Sequence, residues 1–139
     1  MLIGEYTHAL DLKGRVNFPA KLREELGDCF YITKGLDNCL FVYGEEEWAA
    51  LAAQIKKMPY AQSKGLKHFF FGSAGSAEPD KQGRIVIPQS LREHAELDKE
   101  VVIVGAMDHA EIWDKQRWQD HIDSISSDSI EAIMDEINF

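Results

Sequence analysis

The sequence predicts a mainly β fold with helices, of the α+β class, in which one structural unit occurs twice. The stretch that starts at Asp11 returns in the second half of the chain at Asp80, with seven identities in fourteen positions. A further pair of stretches, which start at Gly35 and Gly105, aligns at a spacing one position longer. A unit of about 45 residues is too small to bury a stable core alone. We therefore expect the two copies to pack about a pseudo-twofold axis and to share one core.

The change in spacing indicates a one-residue insertion near Gly27 and Asp28. Upstream of the repeated motif the copies no longer agree, because residues 5–10 face residues 74–79 with little in common. Pro79 has no N–H to donate to a neighbouring strand. The strand that leads into the second copy is therefore expected to end there or to lie at the edge of its sheet.

The first elements of the first copy follow in order from local patterns. A strand over residues 3–10 leads to a turn that starts at Asp11, because Asp bonds the backbone two residues on and the glycine three positions later adopts positive φ. A short strand follows over residues 16–18. Pro19 then suits the first position of a helix, and Gly27 suits its end.

Two strands and a longer helix complete the first copy. Residues 30–33 and 39–43 have the β-branched and aromatic content of strands, on either side of a turn at residues 35–38. Residues 45–58 predict a helix that begins with three Glu and ends near two Lys, the order that the helix dipole favours. Its apolar face holds Trp48, Leu51, Ala52 and Ile55.

A connector separates the two copies. Residues 59–65 predict the connector itself, residues 66–71 a helical turn that runs into a strand, and residues 72–76 a flexible stretch of small residues. The elements expected after it are a lead-in strand, the Asp80 turn, a strand at 85–87, a helix from Pro88, strands at 101–104 and 110–113, and a helix that contains Trp118, Ile122 and Ile125.

The C-terminal segment predicts a further amphipathic helix. Asp128 and Glu131 match a helix-capping pair. The apolar stripe on this helix is expected to pack on the protein's own core, and packing on a neighbouring subunit is the alternative. The stripe consists of Ile130, Ile133, Met134 and Ile137. The expected division of the chain is a first unit at 1–58, a connector at 59–72, a second unit at 73–118 and an acidic C-terminal helical segment at 119–139.

Charge is distributed unevenly along the chain. The net charge is −9, yet residues 1–70 carry nine Lys/Arg and nine Asp/Glu, whereas residues 71–139 carry six and fifteen. The C-terminal segment at 119–139 holds six of these acids and no Lys or Arg. Because a nucleic-acid partner responds to the local patch, the overall acidity does not exclude DNA as a partner.

Several classes of protein are excluded by what the sequence lacks. There is no apolar run long enough to span a membrane and no cationic, apolar leader, so we expect a cytoplasmic protein without membrane contact. Cys29 and Cys39 are the only cysteines, and free buried thiols are favoured over a disulfide. The five histidines lack zinc-ligand spacing. No cofactor or metal is expected.

Catalytic motifs are also missing. Asp11 and Asp80 are related by the repeat and invite comparison with a carboxylate dyad, but an Arg follows four residues after each and no Asp-Thr-Gly sequence is present. The Gly-Ser segment at residues 72–76 lacks the lysine of a phosphate-binding loop, and no Gly-x-Ser-x-Gly elbow occurs. We therefore expect neither an enzyme nor a small-molecule substrate.

The candidate site is the repeated Asp-x-x-Gly-Arg turn. It fixes an arginine beside a sharp turn between two strands, and the rigid guanidinium fork suits phosphate oxygens or the O6/N7 edge of guanine. An Asp–Arg pair that closes each turn without a ligand is the alternative. The candidate DNA-binding residues are Lys13, Gly14, Arg15, Lys81, Gly83 and Arg84.

Two further groups are interpreted as structural. Arg23 and Arg92, on the helices that follow the motifs, are expected to form surface pairs with nearby Glu. Aromatic residues offer base-stacking surfaces, but their strand and helix positions favour packing in the core. This aromatic group consists of Phe41, Tyr43, Trp48, residues 69–71 and Trp113.

Three stretches resemble one known family. GEYTHALDLKGRVNFPAKLREELG, DKQGRIVIPQSLREHA and EIWDKQRW are similar to the MraZ family of bacterial transcriptional regulators of the division and cell-wall gene cluster, over nearly the whole chain. The resemblance implies that each unit is an AbrB-like swapped-hairpin half and that the two halves form one barrel. It also implies ring-like homo-oligomers that bind tandem short repeats of double-stranded DNA upstream of that operon, at the nucleoid.

The family's site roles map onto both motifs. They fall on Lys13, Gly14 and Arg15 in the first copy and on Gly83 and Arg84 in the second. The chain departs from the pattern where Gln82 replaces a lysine and where Pro79 precedes Asp80, so the second loop carries less charge unless Lys81 compensates. The competing interpretation is an antitoxin-like module whose acidic C-terminal tail binds and neutralises a protein partner.

Overall fold

Two sets of equivalent elements run along the chain. The computed structural model describes residues 1–138. The first copy holds β1 (Glu5–Ala9), β2 (Arg15–Asn17), α1 (Ala20–Leu26), β3 (Phe30–Lys34), β4 (Leu40–Tyr43) and α2 (Glu45–Lys56). The link holds α3 (Tyr60–Leu66) and a π-helix (Lys67–Phe71). The remainder holds β5 (Gly75–Ala77), β6 (Arg84–Val86), α4 (Gln89–His94), β7 (Glu100–Gly105), β8 (Ala110–Asp114), α5 (Lys115–Ser124) and α6 (Ser127–Glu136).

The lead-in strand of each copy pairs with the other copy. The six-stranded antiparallel sheet has the order β1-β7-β8-β4-β3-β5, so β1 pairs with β7 of the second copy and β5 pairs with β3 of the first. At its centre β4 and β8 pair, and Phe41 faces its own repeat equivalent, Glu111. The order is unchanged when the two copies are interchanged. The predicted α+β class, with two interlocked copies related by a pseudo-twofold axis, is confirmed.

A separate two-stranded antiparallel sheet joins β2 to β6. Val16 pairs with its repeat equivalent Ile85 at the centre of this sheet, and each is only 1% exposed. Both side chains belong to the same cluster as the inward-facing residues of the six-stranded sheet, such as Ile32 and Ile103. The two sheets therefore enclose one core, to which both copies contribute.

The short helices begin one residue after the prolines predicted to start them, and Gly27 is the C-cap of α1 as predicted. Pro19 and Pro88 occupy the N-caps of α1 and α4, and Leu22 and Leu91 are buried beneath them. The inserted residue lies in the second copy. There α4 is one residue shorter than α1, but the link at residues 95–99 before β7 is longer than the equivalent link at residues 27–29 before β3. The lead-in strand β5 is an edge strand that ends before Pro79, as expected from the missing N–H.

The predicted strand within residues 66–71 is wrong, because the chain stays helical through Phe71. Hydroxyl groups satisfy the carbonyls at the end of this helical segment: Ser73 Oγ donates to Phe69 O at 2.6 Å, and the buried Thr33 Oγ1 donates to Phe70 O. Carbonyl groups at a helix end need such partners. The helical part of the prediction for this segment is confirmed.

The aromatic residues form a second cluster outside the main core. Phe41 and Phe70 stack with ring centroids 6.4 Å apart, and Trp48 packs against Phe71 at 4.3 Å. Trp113 is buried, but the other members are only partly buried, on the outer face of the six-stranded sheet. Burial is therefore confirmed for Trp113 alone, which packs against Trp118 and His121 of α5 and lies outside the main core cluster, whereas the others cover the sheet from outside.

The cysteines and the C-terminal helices complete the fold. Cys39 is buried and Cys29 partly buried, and both are free thiols. The N-cap of α6 is Ser126, whose Oγ accepts a hydrogen bond from the N–H of Ser129, so the predicted Asp128 cap is wrong. The helix begins earlier than predicted because the serine hydroxyl already satisfies an N–H of its first turn, and Asp128 lies within that turn.

The apolar stripe of α6 is not packed on the core of this chain. Ile130, Ile133 and Ile137 are 44%, 55% and 66% exposed, and α6 has no buried residue. The expectation that this stripe packs on the protein's own core is therefore wrong. Among residues 1–138, no helix is both long and apolar enough to cross a membrane.

Candidate nucleic-acid interface

The first motif loop is held by its aspartate. Asp11 Oδ1 accepts hydrogen bonds from the backbone N–H groups of Lys13 (2.9 Å) and Arg15 (2.8 Å), while Oδ2 accepts one from Arg15 Nε (2.8 Å). The N–H of Gly14 donates to Asp11 O at 3.0 Å, which closes the turn. One carboxylate thus fixes both the backbone of the loop and the side chain of its arginine.

The second loop repeats this geometry. Asp80 Oδ1 accepts from the N–H groups of Gln82 and Arg84, and Oδ2 accepts from Arg84 Nε, each at 2.9 Å. Because Gln82 contributes only its backbone here, its difference from Lys13 leaves the turn intact. The two loops therefore share one conformation despite their different side chains.

Each aspartate is charged at neutral pH. Hydrogen bonds from the backbone and the side chain of Arg15 hold the pKa of Asp11 below its ordinary value. The backbone N–H and then the side chain of Arg84 do the same for the pKa of Asp80, against the opposing effect of desolvation. The Asp–Arg pairs are thus intact at physiological pH. This agrees with the alternative interpretation of the motif, in which the pair closes the turn without a ligand.

The arginines keep donors for a further partner. Each Asp–Arg contact uses Nε, and the terminal nitrogens of Arg15 and Arg84 form no hydrogen bond to any residue in 1–138. The side chains are 34% and 32% exposed. A guanidinium has five N–H donors, so four remain on each arginine. Closing the turn and binding a ligand are therefore compatible.

The pairing of β2 with β6 brings the two motifs together. Arg15 pairs with Val86 and Asn17 with Arg84, while Val16 and Ile85 between them face the core. Because side chains alternate along a strand, the other four point outward together. We call this outward surface the ribbon face; it consists of Arg15, Asn17, Arg84 and Val86. Two arginines from different halves of the sequence thus lie on one surface.

The other predicted site residues lie in two different environments. Lys13 and Lys81 are exposed on the loops at the two ends of the ribbon face. Gly14 and Gly83 are buried and adopt φ of +82° and +79°, a region that favours glycine. The lysines are available to a ligand, whereas the glycines form the turns.

Sequence reasoning missed the role of two helix arginines. Arg23 and Arg92 form no ion pair with any Glu in the described chain, so that expectation is wrong. Arg23 Nε instead donates to Phe18 O at 3.0 Å. The signal available in the sequence was the repeat, which keeps an arginine eight positions after each motif arginine.

The loops carry no sign of a metal site. Within residues 1–138, no group of three or more His, Cys, Asp or Glu side chains is arranged to hold a metal ion. The carboxylates of the two motifs, Asp11 and Asp80, are already engaged in the Asp–Arg pairs described above. The fixed guanidinium groups at this surface can donate hydrogen bonds to a ligand.

Known proteins match nearly the whole chain. The model of the MraZ protein family, whose description adds the term antitoxin-like, matches residues 1–65 and 70–137, which correspond to the two copies. A protein of Caldicellulosiruptor saccharolyticus named transcriptional regulator MraZ is 51% identical over 141 aligned residues, with 99% of each chain covered. The protein of that name from Heliobacterium modesticaldum is 54% identical, with 85% of this chain and 84% of the other covered.

A third relative agrees with these two. The transcriptional regulator MraZ of a Thermoanaerobacter species is 46% identical over 142 aligned residues, with 99% of each chain covered. These relatives bear the name of a regulator and not of an enzyme, which confirms the expectation that the chain is not an enzyme. The matches at this identity extend over both motif loops and the strands between them. The chain therefore belongs to the MraZ family.

Proposed function

We propose that this protein is a transcriptional regulator that binds double-stranded DNA sequence-specifically through its ribbon face. The observation that carries this proposal is the placement of Arg15 and Arg84, one from each motif, on one outward surface of a two-stranded antiparallel sheet. The major groove of B-DNA admits a two-stranded β-ribbon. The relatives' name supports the same role.

The proposed division of work follows from the chemistry of the side chains. Arg15 and Arg84 bind guanine O6 and N7 through their terminal nitrogens, while Nε stays on the aspartate. Asn17 and the 58% exposed Val86 lie beside them and contact adjacent bases. Lys13 and Lys81 bind phosphate oxygens on either side, which positions the ribbon face in the groove.

Homo-oligomerisation completes the proposal. One chain offers few cations, and repetition of a modest contact on one scaffold raises the overall affinity. The exposed apolar stripe of α6 supports assembly, because such a surface on an acidic helix has no partner within the described chain. We propose ring-like homo-oligomers on tandem short repeats upstream of the division and cell-wall gene cluster, in association with the nucleoid.

A mobility-shift titration tests the ribbon face. The purified protein and the variants Arg15→Ala and Arg84→Ala are titrated on DNA from upstream of the gene, at about 50 and about 200 mM salt. The parent should bind selectively and more weakly at high salt. Each variant should lose roughly 10-fold to 100-fold in affinity for the specific site.

The matched control is Lys57→Ala, which removes an exposed cation after the end of α2, away from the ribbon face. It should bind like the parent. The proposal fails if the arginine variants bind the site as tightly as the parent, or if Lys57→Ala weakens binding as much as they do.

An antitoxin-like module remains the second candidate. The acidic, apolar α6 favours it, since a basic protein partner would cover that stripe, and the family description uses the same term. Deletion of residues 119–139 separates the two candidates. Partner capture lost on deletion, together with DNA binding that is weak and unselective in the parent, would favour the antitoxin; selective DNA binding by the parent would favour the regulator.

A further inference from the structure

Each motif glycine is covered by an arginine from the other copy. A Cβ atom built on Gly14 would lie 2.9 Å from Arg92 Cζ and 3.0 Å from its Nη1. A Cβ atom built on Gly83 would lie 2.9 Å from Arg23 Nη2 and 3.0 Å from its Cζ. The guanidinium of Arg92 therefore lies against the first loop, and that of Arg23 against the second. We call this pair the cross-copy arginines.

Backbone hydrogen bonds join the same elements. Ile87 N–H donates to Gly14 O at 2.8 Å, and Phe18 N–H donates to Gly83 O at 2.9 Å. Each loop is thus tied to the residue that precedes the helix proline of the other copy. The cross-copy arginine of that helix lies against the glycine of the same loop.

We propose that Arg92 and Arg23 are positioning residues for DNA binding, each of which holds the motif loop of the opposite copy in its binding conformation. The proposal rests on the proposed function of the ribbon face and adds residues that act through others. Arg92 holds the turn that presents Lys13 and Arg15. Arg23 holds the turn that presents Arg84.

The surroundings favour positioning over direct binding of an anion. The groove beside Arg92 is lined by Asp11, Glu93, Glu96 and Asp98, with Lys99 as the other cation, so it carries net negative charge. A phosphate would be repelled there. A planar guanidinium that covers the glycine excludes water from the loop backbone and restricts the turn, which needs positive φ at that glycine.

The two arginines differ in how they are anchored. Arg23 Nε is anchored by Phe18 O at 3.0 Å. The equivalent Nε of Arg92 is buried, with no hydrogen-bond partner in residues 1–138. Both arginines therefore contact the opposite loop by packing, and only Arg23 is itself fixed by a hydrogen bond, to Phe18 O of its own copy. We expect the second loop to be the more rigid of the two.

Amide hydrogen exchange tests the proposal without DNA. In Arg92→Ala, the amides of residues 13–15 should exchange several-fold faster than in the parent, while those of residues 82–84 stay unchanged. Arg23→Ala should give the reverse pattern. Each variant is the matched control for the other, because both remove one arginine from an equivalent short helix.

A more conservative variant separates the loss of this contact from a general loss of the fold. Arg92→Lys keeps the charge and most of the apolar stem but lacks the planar group, so it should accelerate exchange in the first loop as Arg92→Ala does. The core strands β3 and β7 should keep their protection in all variants. Equal acceleration in both loops, or none in either, would overturn the proposal.

A double-mutant cycle on DNA affinity connects the contacts to binding. Arg92→Ala and Arg15→Ala should be coupled by about fivefold or more in Kd, whereas Arg92→Ala and Arg84→Ala should act independently. The pairing of Arg23→Ala with Arg84→Ala should repeat this. If Arg15→Ala and Arg84→Ala do not affect binding, the proposed function fails while the exchange result still decides the positioning role. If both variants weaken binding but Arg92→Ala is coupled to Arg84→Ala instead of to Arg15→Ala, the cross-copy role is wrong.

Discussion

At the scale of single residues, His109 shows how the turn between β7 and β8 is fastened. Its Nδ1 lies 2.8 Å from Asp108 Oδ1 and its Nε2 lies 2.9 Å from Glu111 Oε2. The ring also packs against Phe41, with centroids 4.8 Å apart. Burial disfavours the charged imidazole, but hydrogen bonds with the two carboxylates outweigh it and raise the pKa of His109 above its ordinary value of 6.5.

The raised pKa of His109 predicts a dependence of stability on pH. A group whose pKa is higher in the folded state stabilises the fold fully below its unfolded pKa of 6.5, and this contribution is lost as pH rises through the folded value. The free energy of unfolding should therefore fall as pH rises above about 6.5. Urea denaturation at a series of pH values measures it.

The variant His109→Gln should abolish that fall. The matching change His8→Gln, on β1, should leave it in place, because His8 forms no ion pair within the described residues. A parent protein whose stability is flat across this range would contradict the assignment. The lowered pKa values of Asp108 and Glu111 act in the opposite direction, since their contributions are lost only in acid.

At the scale of elements, the π-helix shows where sequence patterns stop being sufficient. Three consecutive phenylalanines after Lys67 resemble a strand by local propensity. The helical outcome depends on Thr33 and Ser73, whose hydroxyl oxygens lie 3.1 Å apart and which donate to carbonyls at the helix end. Thr33 comes from a strand 37 residues away from Phe70, so no local window contains the deciding contact.

The variant Thr33→Val should destabilise the protein. Valine keeps the shape of threonine but removes the buried hydroxyl, which leaves Phe70 O without that donor. The expected loss is about 1–3 kcal/mol in the free energy of unfolding, measured by urea denaturation. Thr7→Val, at an exposed position of β1, is the matched control and should change stability by less than about 0.5 kcal/mol. Equal effects of the two variants would contradict the role of the hydroxyl.

The pairing of β2 with β6 is a second feature that local sequence patterns could not predict. The repeat predicted both short strands, both turns and both helix starts, because each depends on local residues such as Asp11, Gly14 and Pro19. It predicted a shared core as well. It did not reveal that the two motif strands pair with each other, nor that Arg92 lies over Gly14, because partners across a pseudo-twofold axis leave no mark in a local pattern.

At the scale of the whole molecule, the acidic C-terminal end of the chain differs from the ribbon face in chemical character. The residues of α6 carry acid and exposed isoleucines, whereas the ribbon face carries arginines. Neither surface is covered within residues 1–138. We expect the two to have separate tasks, assembly at α6 and DNA contact at the ribbon face.

Two neighbouring positions in α6 test the assembly role. Ile133→Glu places a charge within the apolar stripe, and Ala132→Glu places the same charge on the opposite side of the helix. Ile133→Glu should raise the dissociation constant of the oligomer by at least about tenfold, so that sedimentation velocity shows smaller species. Ala132→Glu should leave the dissociation constant unchanged. A monomeric parent, or equal behaviour of the two variants, would exclude α6 as an assembly surface.

The exchange of lead-in strands has a consequence for symmetry. A homodimer that forms such an interlocked fold from two identical chains must present two identical loops, and a twofold-symmetric protein favours a palindrome. Here both halves lie in one polypeptide, so they are free to differ, and they do at Lys13 and Gln82 and at Asn17 and Val86. The protein therefore has a polarity. Under the proposed function, the protein should distinguish a site from its reverse complement, and a row of subunits on successive repeats should all point in one direction along the DNA.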